Sequence, residues 1–210
     1  MVVEPLYQDI LIEPENVLYV FDKVPTPVDY FQFLREHRDT IIDAFFNIVN
    51  PKVIAPVEPL EAPFIGVHIR RGDFQAEKLI PIEEFVNTIT TLRVFLERDV
   101  SVVVFTDAQR DEISPILALP NTHLSENLPD LVDLLWLSRS KIIVTNAGST
   151  FSYWAGFISD AVIIRNQQDL LPSIRPSLFN ALVYEGKLPK AHVLFPDLLV
   201  KNLFAIKKTI

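Results

Sequence analysis

The sequence predicts an α/β fold: a Rossmann-like parallel sheet with helices on both faces. Short, nearly unbroken apolar runs at residues 64–69, 101–105, 142–145 and 161–164 alternate with longer stretches of helical apolar period. Parallel strands joined by helices are buried on both faces, so they lose the polar–apolar alternation of a half-exposed sheet. The polar clusters able to carry chemistry, 70–73, Thr106-Asp107 and 146–150, each follow a strand directly, where open α/β sheets collect ligands. The punctuation is also telling: 16 prolines against five glycines, with prolines at 25, 27, 51–63, 81, 120, 129 and 172–176 falling between elements.

Taken in order, residues 17–21 (Val-Leu-Tyr-Val-Phe) read as a short strand. Residues 28–49 read as a helix because Phe31, Leu34, Ile41, Ile42, Phe45 and Phe46 recur at helical spacing. The proline-rich stretch 50–63 reads as a connector, which makes 1–62 an N-terminal extension and 63–210 the ligand-binding α/β domain. Within that domain the pattern predicts strand 64–69, helix 81–98, strand 101–105, helix 109–119, a short strand at 122–124, helix 131–139, strand 142–145, helix 150–158 and strand 161–164. Beyond Arg165, residues 178–184 read as a helix and the last twenty as either a strand or a helix.

With 210 residues, 49% of them apolar, the chain has enough material for a full core in one domain, or one domain plus an extension. Its mean hydropathy of +0.25 argues against disorder. The 27 acidic residues against 19 Lys and Arg, a net charge of −8, exclude a general nucleic-acid or anionic-membrane surface, because such partners require a basic face. The lack of cysteine excludes disulfides, thiolate nucleophiles and cysteine metal sites. The first twelve residues have neither the basic flank nor the apolar run of a signal peptide, and no stretch of about 18 apolar residues is long enough to span a bilayer. The expectation is a soluble, cytoplasmic protein whose anion site is local.

The most informative motif is His68-Ile69-Arg70-Arg71-Gly72-Asp73, at the end of the apolar strand. A guanidinium offers paired donors that match phosphate or carboxylate oxygens, and adjacent arginines at a strand end, with Asp73 to hold one of them, suit a diphosphate. Strand alternation puts His68 and Arg70 on one face and Ile69 and Arg71 on the other. His68 is then either a satisfied core histidine or a ligand contact paired with Arg70. Residues 145–152, Thr-Asn-Ala-Gly-Ser-Thr-Phe-Ser, form a strand-to-helix turn in which Gly148 permits close backbone approach and Ser149 suits the N-cap. The turn reads either as a capped helix and nothing more or, through the free N–H groups and positive dipole of that helix end, as a holder of a phosphate that also meets Arg70. Asp107 reads either as a helix cap or as an acceptor for a guanine edge or ribose hydroxyls. Ser149 is not in a G-x-S-x-G elbow, and there is no G-x-G-x-x-G, P-loop or D-x-D triplet, which disfavours hydrolase, hydride-transfer and ATPase chemistry. Arg71-Gly72-Asp73 also spells the integrin-binding tripeptide, but it hangs directly from an apolar strand instead of an exposed loop. Trp136, Tyr153 and Trp154 fall in helices and read as core.

These residues resemble the fucosyltransferases that share an H-x-R-R-x-D signature, and most closely the α-1,2-fucosyltransferases of glycosyltransferase family 11. The run 67–74 is similar to the family's V-H-I-R-R-G-D-Y. Residues 104–107 resemble F-S-D-D with Ala108 in place of the second acid, and 130–138 with 142–154 resemble D-L-x-L-M-S followed by I-x-x-N-S-T-F-S-W-W; Tyr30-Phe31-Gln32 echoes an upstream Y-F-Q. The resemblance implies the donor-binding domain of a GT-B-type glycosyltransferase that is GDP-fucose-dependent, inverting, and free of metal and cofactor, with a nucleotide sugar and a glycan acceptor as its partners. By the same resemblance Arg70 contacts the β-phosphate, Arg71 assists and Asp73 fixes the arginine loop. His68 and Asp107 address the guanosine, Ser149, Thr150 and Ser152 the phosphates, and Asn146 belongs to the same donor-binding set. Asp73 and Glu77 are the acids nearest in sequence to serve as general base. The family's glycine-rich G-x-x-G-N-Q segment has no counterpart, since no glycine precedes Gly66. The expectation is therefore a donor-binding half, completed by a partner chain or oligomer, or a compact variant whose first sixty residues do the acceptor work. The alternatives are a transferase using another nucleotide sugar, or a non-catalytic nucleotide-sugar-binding or partner-binding module.

Overall fold

The computed structural model describes residues 29–72, 79–125, 128–166 and 172–209, together with the backbone of two short strands, β1 (Val2–Val3) and β2 (Tyr19–Val20), which pair in parallel. Among the described residues the main sheet has six strands, all parallel: β3 (Ile65–Ile69), β4 (Val102–Thr106), β5 (Thr122–Leu124), β6 (Ile142–Val144), β7 (Val162–Arg165) and β8 (Glu185–Lys187). Their order is β5-β4-β3-β6-β7-β8. The chain winds outward from β3 to one edge, returns to the centre at β6 and winds to the other edge. Connections above β3 and β6 therefore leave in opposite directions, and a crevice opens between them at the carboxyl ends. The register shows the parting: β3 pairs with β4 as far as Ile69↔Thr106, but with β6 only as far as Val67↔Val144.

Helices cover both faces. On one face Ile65, Val67, Ile69, Val102 and Val104 pack with Phe85, Ile89 and Leu92 of α3 (Ile82–Leu96) and with Leu199 and Leu203 of α8 (Asp197–Lys207). On the other, Val103, Phe105 and Ile143 meet Leu137 of α5 (Asp130–Ser138) and Ala155 of α6 (Thr150–Ile158). This alternation along β3 is the one that the sequence predicts, and it sends His68 to the α5–α6 side. Helix α5 and the turn that follows it lie so close to β3 that a Cβ on Gly66 would collide with Ser140 Oγ and come within 2.5 Å of Leu137 Cδ1. Since both neighbours are buried, Gly66→Ala is expected to destabilise the protein by about 1–3 kcal/mol, as overpacking does. A urea midpoint equal to that of wild type would show that α5 shifts freely.

Several predicted boundaries move, each for a local reason. The helix expected over 28–49 is regular only in α1 (Arg38–Ile48), after a turn and a 3-10 segment at Arg35–His37. Asp29 Oδ1 accepts the Phe31 N–H at 3.2 Å, and a side chain that bonds a nearby backbone N–H competes with helix. Arg38, buried at the start of α1, donates to the carbonyls of Phe157 (2.6 Å) and Ser159 (2.8 Å) at the end of α6. The proline-rich connector contains a helical turn, α2 (Pro51–Ile54), capped by Asn50, whose Oδ1 accepts the Lys52 N–H at 3.0 Å. Helix 109–119 shrinks to α4 (Ser114–Leu117) because Pro115, in a helix interior, would clash with the carbonyl four residues earlier; it is tolerated only in the first turn. Residues 178–184 are not one helix: α7 (Ser177–Asn180) ends early and the chain enters β8, a strand that the sequence pattern did not predict. In the last twenty residues the helical alternative holds: α8 follows a short 3-10 turn at His192–Leu194 and ends at Lys207. Among the described residues, no helix is long and apolar enough to cross a membrane.

Candidate functional site

The predicted residues that are described lie at or near the carboxyl ends of β3, β4 and β6, and the structure distributes them between the two faces of the sheet. Arg70, just past β3, donates its backbone N–H to Asn146 Oδ1 at 3.1 Å, so the Asn146 side chain bridges the two strands where their pairing stops. Its guanidinium lies 2.8 Å from Asp107 Oδ2, and 36% of the Arg70 side chain remains exposed, within a ligand's reach. The other oxygen, Oδ1, accepts the Arg71 N–H at 2.6 Å. Asp107 is therefore neither a helix cap nor turned outward with both oxygens; it braces the arginine loop. Gly72 is required beside it, because a Cβ there would lie 2.5 Å from Asp107 Oδ2. Thr106 supports the same corner, donating its hydroxyl to the Ile69 carbonyl at 2.7 Å and accepting the Ala108 N–H at 3.0 Å. Arg71 turns to the other face and donates to the Ile80 carbonyl at 2.8 Å, while its buried Nε has no hydrogen-bond partner among the described residues. Asp73 and Glu77 lie outside the described residues.

His68 is 5% exposed and stacks on Phe151, ring centroids 4.9 Å apart. Among the described residues its buried Nδ1 has no hydrogen-bond partner. Burial, reinforced by the nearby Arg70 charge, pulls its pKa from 6.5 down to about 3, so the ring stays neutral at physiological pH. A neutral imidazole offers one donor and one acceptor. The sign of the pH effect follows: the unfolded chain binds a proton below pH 6.5, whereas the folded chain does not until about pH 3. Stability present above pH 6.5 is thus lost as pH falls, by about 2 kcal/mol between pH 6.5 and 5. Urea unfolding at pH 7 and pH 5 is expected to show this extra loss in wild type and not in His68→Gln. Equal pH dependence in the two proteins would contradict a neutral buried His68.

The turn between β6 and α6 supplies the opposite wall. Gly148 has φ 75°, in the left-handed region, and donates its N–H to the Tyr153 hydroxyl at 2.8 Å. Ser149 occupies the N-cap position of α6, but its side chain makes no capping bond to the first N–H groups of the helix. Thr150 is exposed at the helix start. Ser152 faces inward: fully buried, its hydroxyl donates to the Ser149 carbonyl and accepts the Asn146 N–H, both at 3.3 Å, and so holds the turn together.

One pair on this edge is absent from the sequence reading. Ser125, just beyond β5, donates its hydroxyl to Asp133 of α5, and burial pushes the Asp133 carboxyl above the usual range, against the stabilising Ser125 bond. Asp133 occupies a polar position inside an apolar helix, Leu-Val-Asp-Leu-Leu, which is the sequence signal that would have found it. Among the described residues no cluster of three or more His, Asp or Glu is arranged to hold a metal ion.

No family model matches the sequence, and no curated protein matches it. Among solved structures, the chain is similar to POFUT1 in complex with GDP, at 16% identity and a TM-score of 0.45, over 73% of this chain and 54% of that one. The chain therefore spans about half the length of that protein.

Proposed function

We propose that the crevice binds a nucleoside diphosphate sugar and that the chain transfers the sugar, fucose from GDP-fucose, to a hydroxyl of a glycan acceptor, with inversion and without a metal. The observation that carries this reading is the placement of the half-exposed Arg70 guanidinium, braced by Asp107, at the end of β3 and of the start of α6, where Ser149 makes no capping bond, after the neighbouring β6, with the Arg70 N–H bonded to Asn146 at the point where the sheet reverses. Departure of the nucleoside diphosphate builds negative charge on its β-phosphate. Preorganised guanidinium and helix-end N–H donors stabilise that charge more in the transition state than in the bound donor. In this reading Arg70 grips the β-phosphate, Ser149 and Thr150 donate to the phosphates, and Asn146 and Ser152 hold the turn. Neutral His68, on the α5–α6 side, addresses the nucleoside, and Arg71 and Asp107 set the loop. Inversion takes one displacement by an acceptor hydroxyl whose proton passes to a general base; Asp73 and Glu77 are the acids assigned to that role.

Calorimetric titration with GDP and GDP-fucose, followed by product analysis with lactose-type acceptors, tests the reading. Binding of both ligands and a fucosylated product are expected, and turnover is expected to be unchanged by EDTA. A wild-type protein that gives no GDP binding refutes the site, and loss of turnover with EDTA refutes the metal-independent mechanism.

A further inference from the structure

A second cavity of about 450 Å³ opens on the same carboxyl edge of the sheet, between α3 and the ends of β7 and β8. That volume is within the range of small-ligand pockets. One wall is a stripe of α3, Glu84, Asn87, Thr88 and Thr91, at the i, i+3, i+4, i+7 spacing of one helix face. The same helix buries Phe85, Ile89 and Leu92 on its sheet-facing side, so the polar stripe is a distinct second surface. Opposite stands Asn166, whose Nδ2 donates to Glu84 Oε2 at 2.9 Å. Leu188, 7% exposed, lines the cavity with Pro189 and adds an apolar patch.

The charges decide what fits. Arg165 is committed to its surroundings, donating to the Pro172 carbonyl at 3.1 Å and lying 3.6 Å from the buried Glu185 carboxylate. Glu84 and Lys190, of opposite charge, both line the groove. An anion entering here would meet the Glu84 carboxylate, whereas hydroxyl groups, which both donate and accept, complement carboxylate, amide and threonine side chains together. The apolar patch suits the C–H side of a saturated ring. β7 is two strands from β3, so the groove begins about 10 Å from the clamp along the sheet edge.

We infer that this groove holds an uncharged, polyhydroxylated group, a sugar ring, which is either the sugar of a ligand whose phosphates occupy the Arg70 crevice or part of the glycan that reacts with it. The inference rests on the proposed function for the identity of the neighbouring ligand. Its test uses the full chain, wild type and the variants Thr88→Leu, which obstructs the groove and improves helix propensity, and Asn87→Ala. Calorimetry with GDP, GDP-fucose and GDP-mannose is paired with saturation-transfer NMR using L-fucose and lactose. Affinity for the nucleotide sugars falling about tenfold in Thr88→Leu, with GDP affinity unchanged, identifies the donor sugar as occupant. Loss of the lactose signal with all nucleotide affinities unchanged identifies the glycan. Wild-type binding of every ligand by both variants, no saccharide-dependent binding by wild type, or an equal loss for GDP itself overturns the inference. A wild type that fails to bind GDP but shows a saccharide signal that Thr88→Leu removes would refute the proposed function and leave the groove standing.

Discussion

Arg70→Ala is expected to lose GDP binding by at least a hundredfold in a calorimetric titration while melting close to wild type. Hydrogen bonds to a charged group contribute about 1.5–3 kcal/mol each, so a two-pronged phosphate contact contributes about 3–6 kcal/mol, or two to four orders of magnitude in affinity. The fold depends on the same side chain far less. Arg70 is 36% exposed and its partner Asp107 30% exposed, and solvent-exposed pairs of this kind contribute at most about 1 kcal/mol. Asp107 also keeps the Arg71 N–H as a donor when Arg70 is truncated. Arg70→Lys is expected to fall between the two proteins, because an ammonium retains charge without the planar fork. A titration in which Arg70→Ala binds GDP as wild type does would remove the clamp from the site.

The parts of this protein legible in its sequence are those set by local pattern. β3, β4, β6 and β7 are apolar runs that any parallel sheet would bury, and their polar ends mark the crevice because strands and helices must turn there. The alternation that separates His68 from Ile69 holds in the packing: His68 lies against Phe151 and Ile69 joins the core under α3. What the pattern missed depends on contacts far apart in the chain. Glu185-Gly186-Lys187 has no strand propensity of its own, and it becomes a strand only beside β7, where Glu185 meets Arg165. Asp107 is ambiguous as a single residue, and the Arg70 and Arg71 groups that engage it come from the neighbouring strand's end. Pro115 could have been read from local rules, since a proline six residues into a proposed helix argues for a later start. Asp133 also stands out locally, as a polar residue inside the apolar run of α5, but its partner Ser125 lies beyond β5 and only the fold brings the two together.

Glu185→Ala is expected to be the most damaging single substitution to the fold. The Glu185 carboxylate is fully buried, and it accepts the N–H groups of Ile174 (2.6 Å) and Arg175 (3.2 Å) and the Asn180 amide (3.1 Å). Two guanidiniums stand beside it, Arg165 and Arg175, each 3.6 Å away. Arg175 is itself fully buried, with burial pulling its pKa down to about 10, and it stays charged at neutral pH. It donates to the Ala161 carbonyl at 2.7 Å and lies 4.7 Å from the centre of the Phe179 ring, which Arg38 also approaches at 4.5 Å. Removing the one buried anion from this group leaves cations and backbone N–H groups without compensation, a loss of about 3–5 kcal/mol. A domain stable by about 5–15 kcal/mol would lose a large part of its margin, and the melting temperature is expected to fall by about 10–15 °C. The double variant Glu185→Leu with Arg175→Met separates charge compensation from simple disruption of packing. Replacing both ions with apolar side chains removes the uncompensated charge, so the double variant is expected to be more stable than Glu185→Leu alone. A double variant that melts below both single variants would show that Arg175 and Glu185 act through their shapes and not through their charges. Because β8 exists through Glu185 and leads directly into Leu188 and Lys190, loosening it is also expected to weaken saccharide binding in the groove before it affects GDP in the crevice.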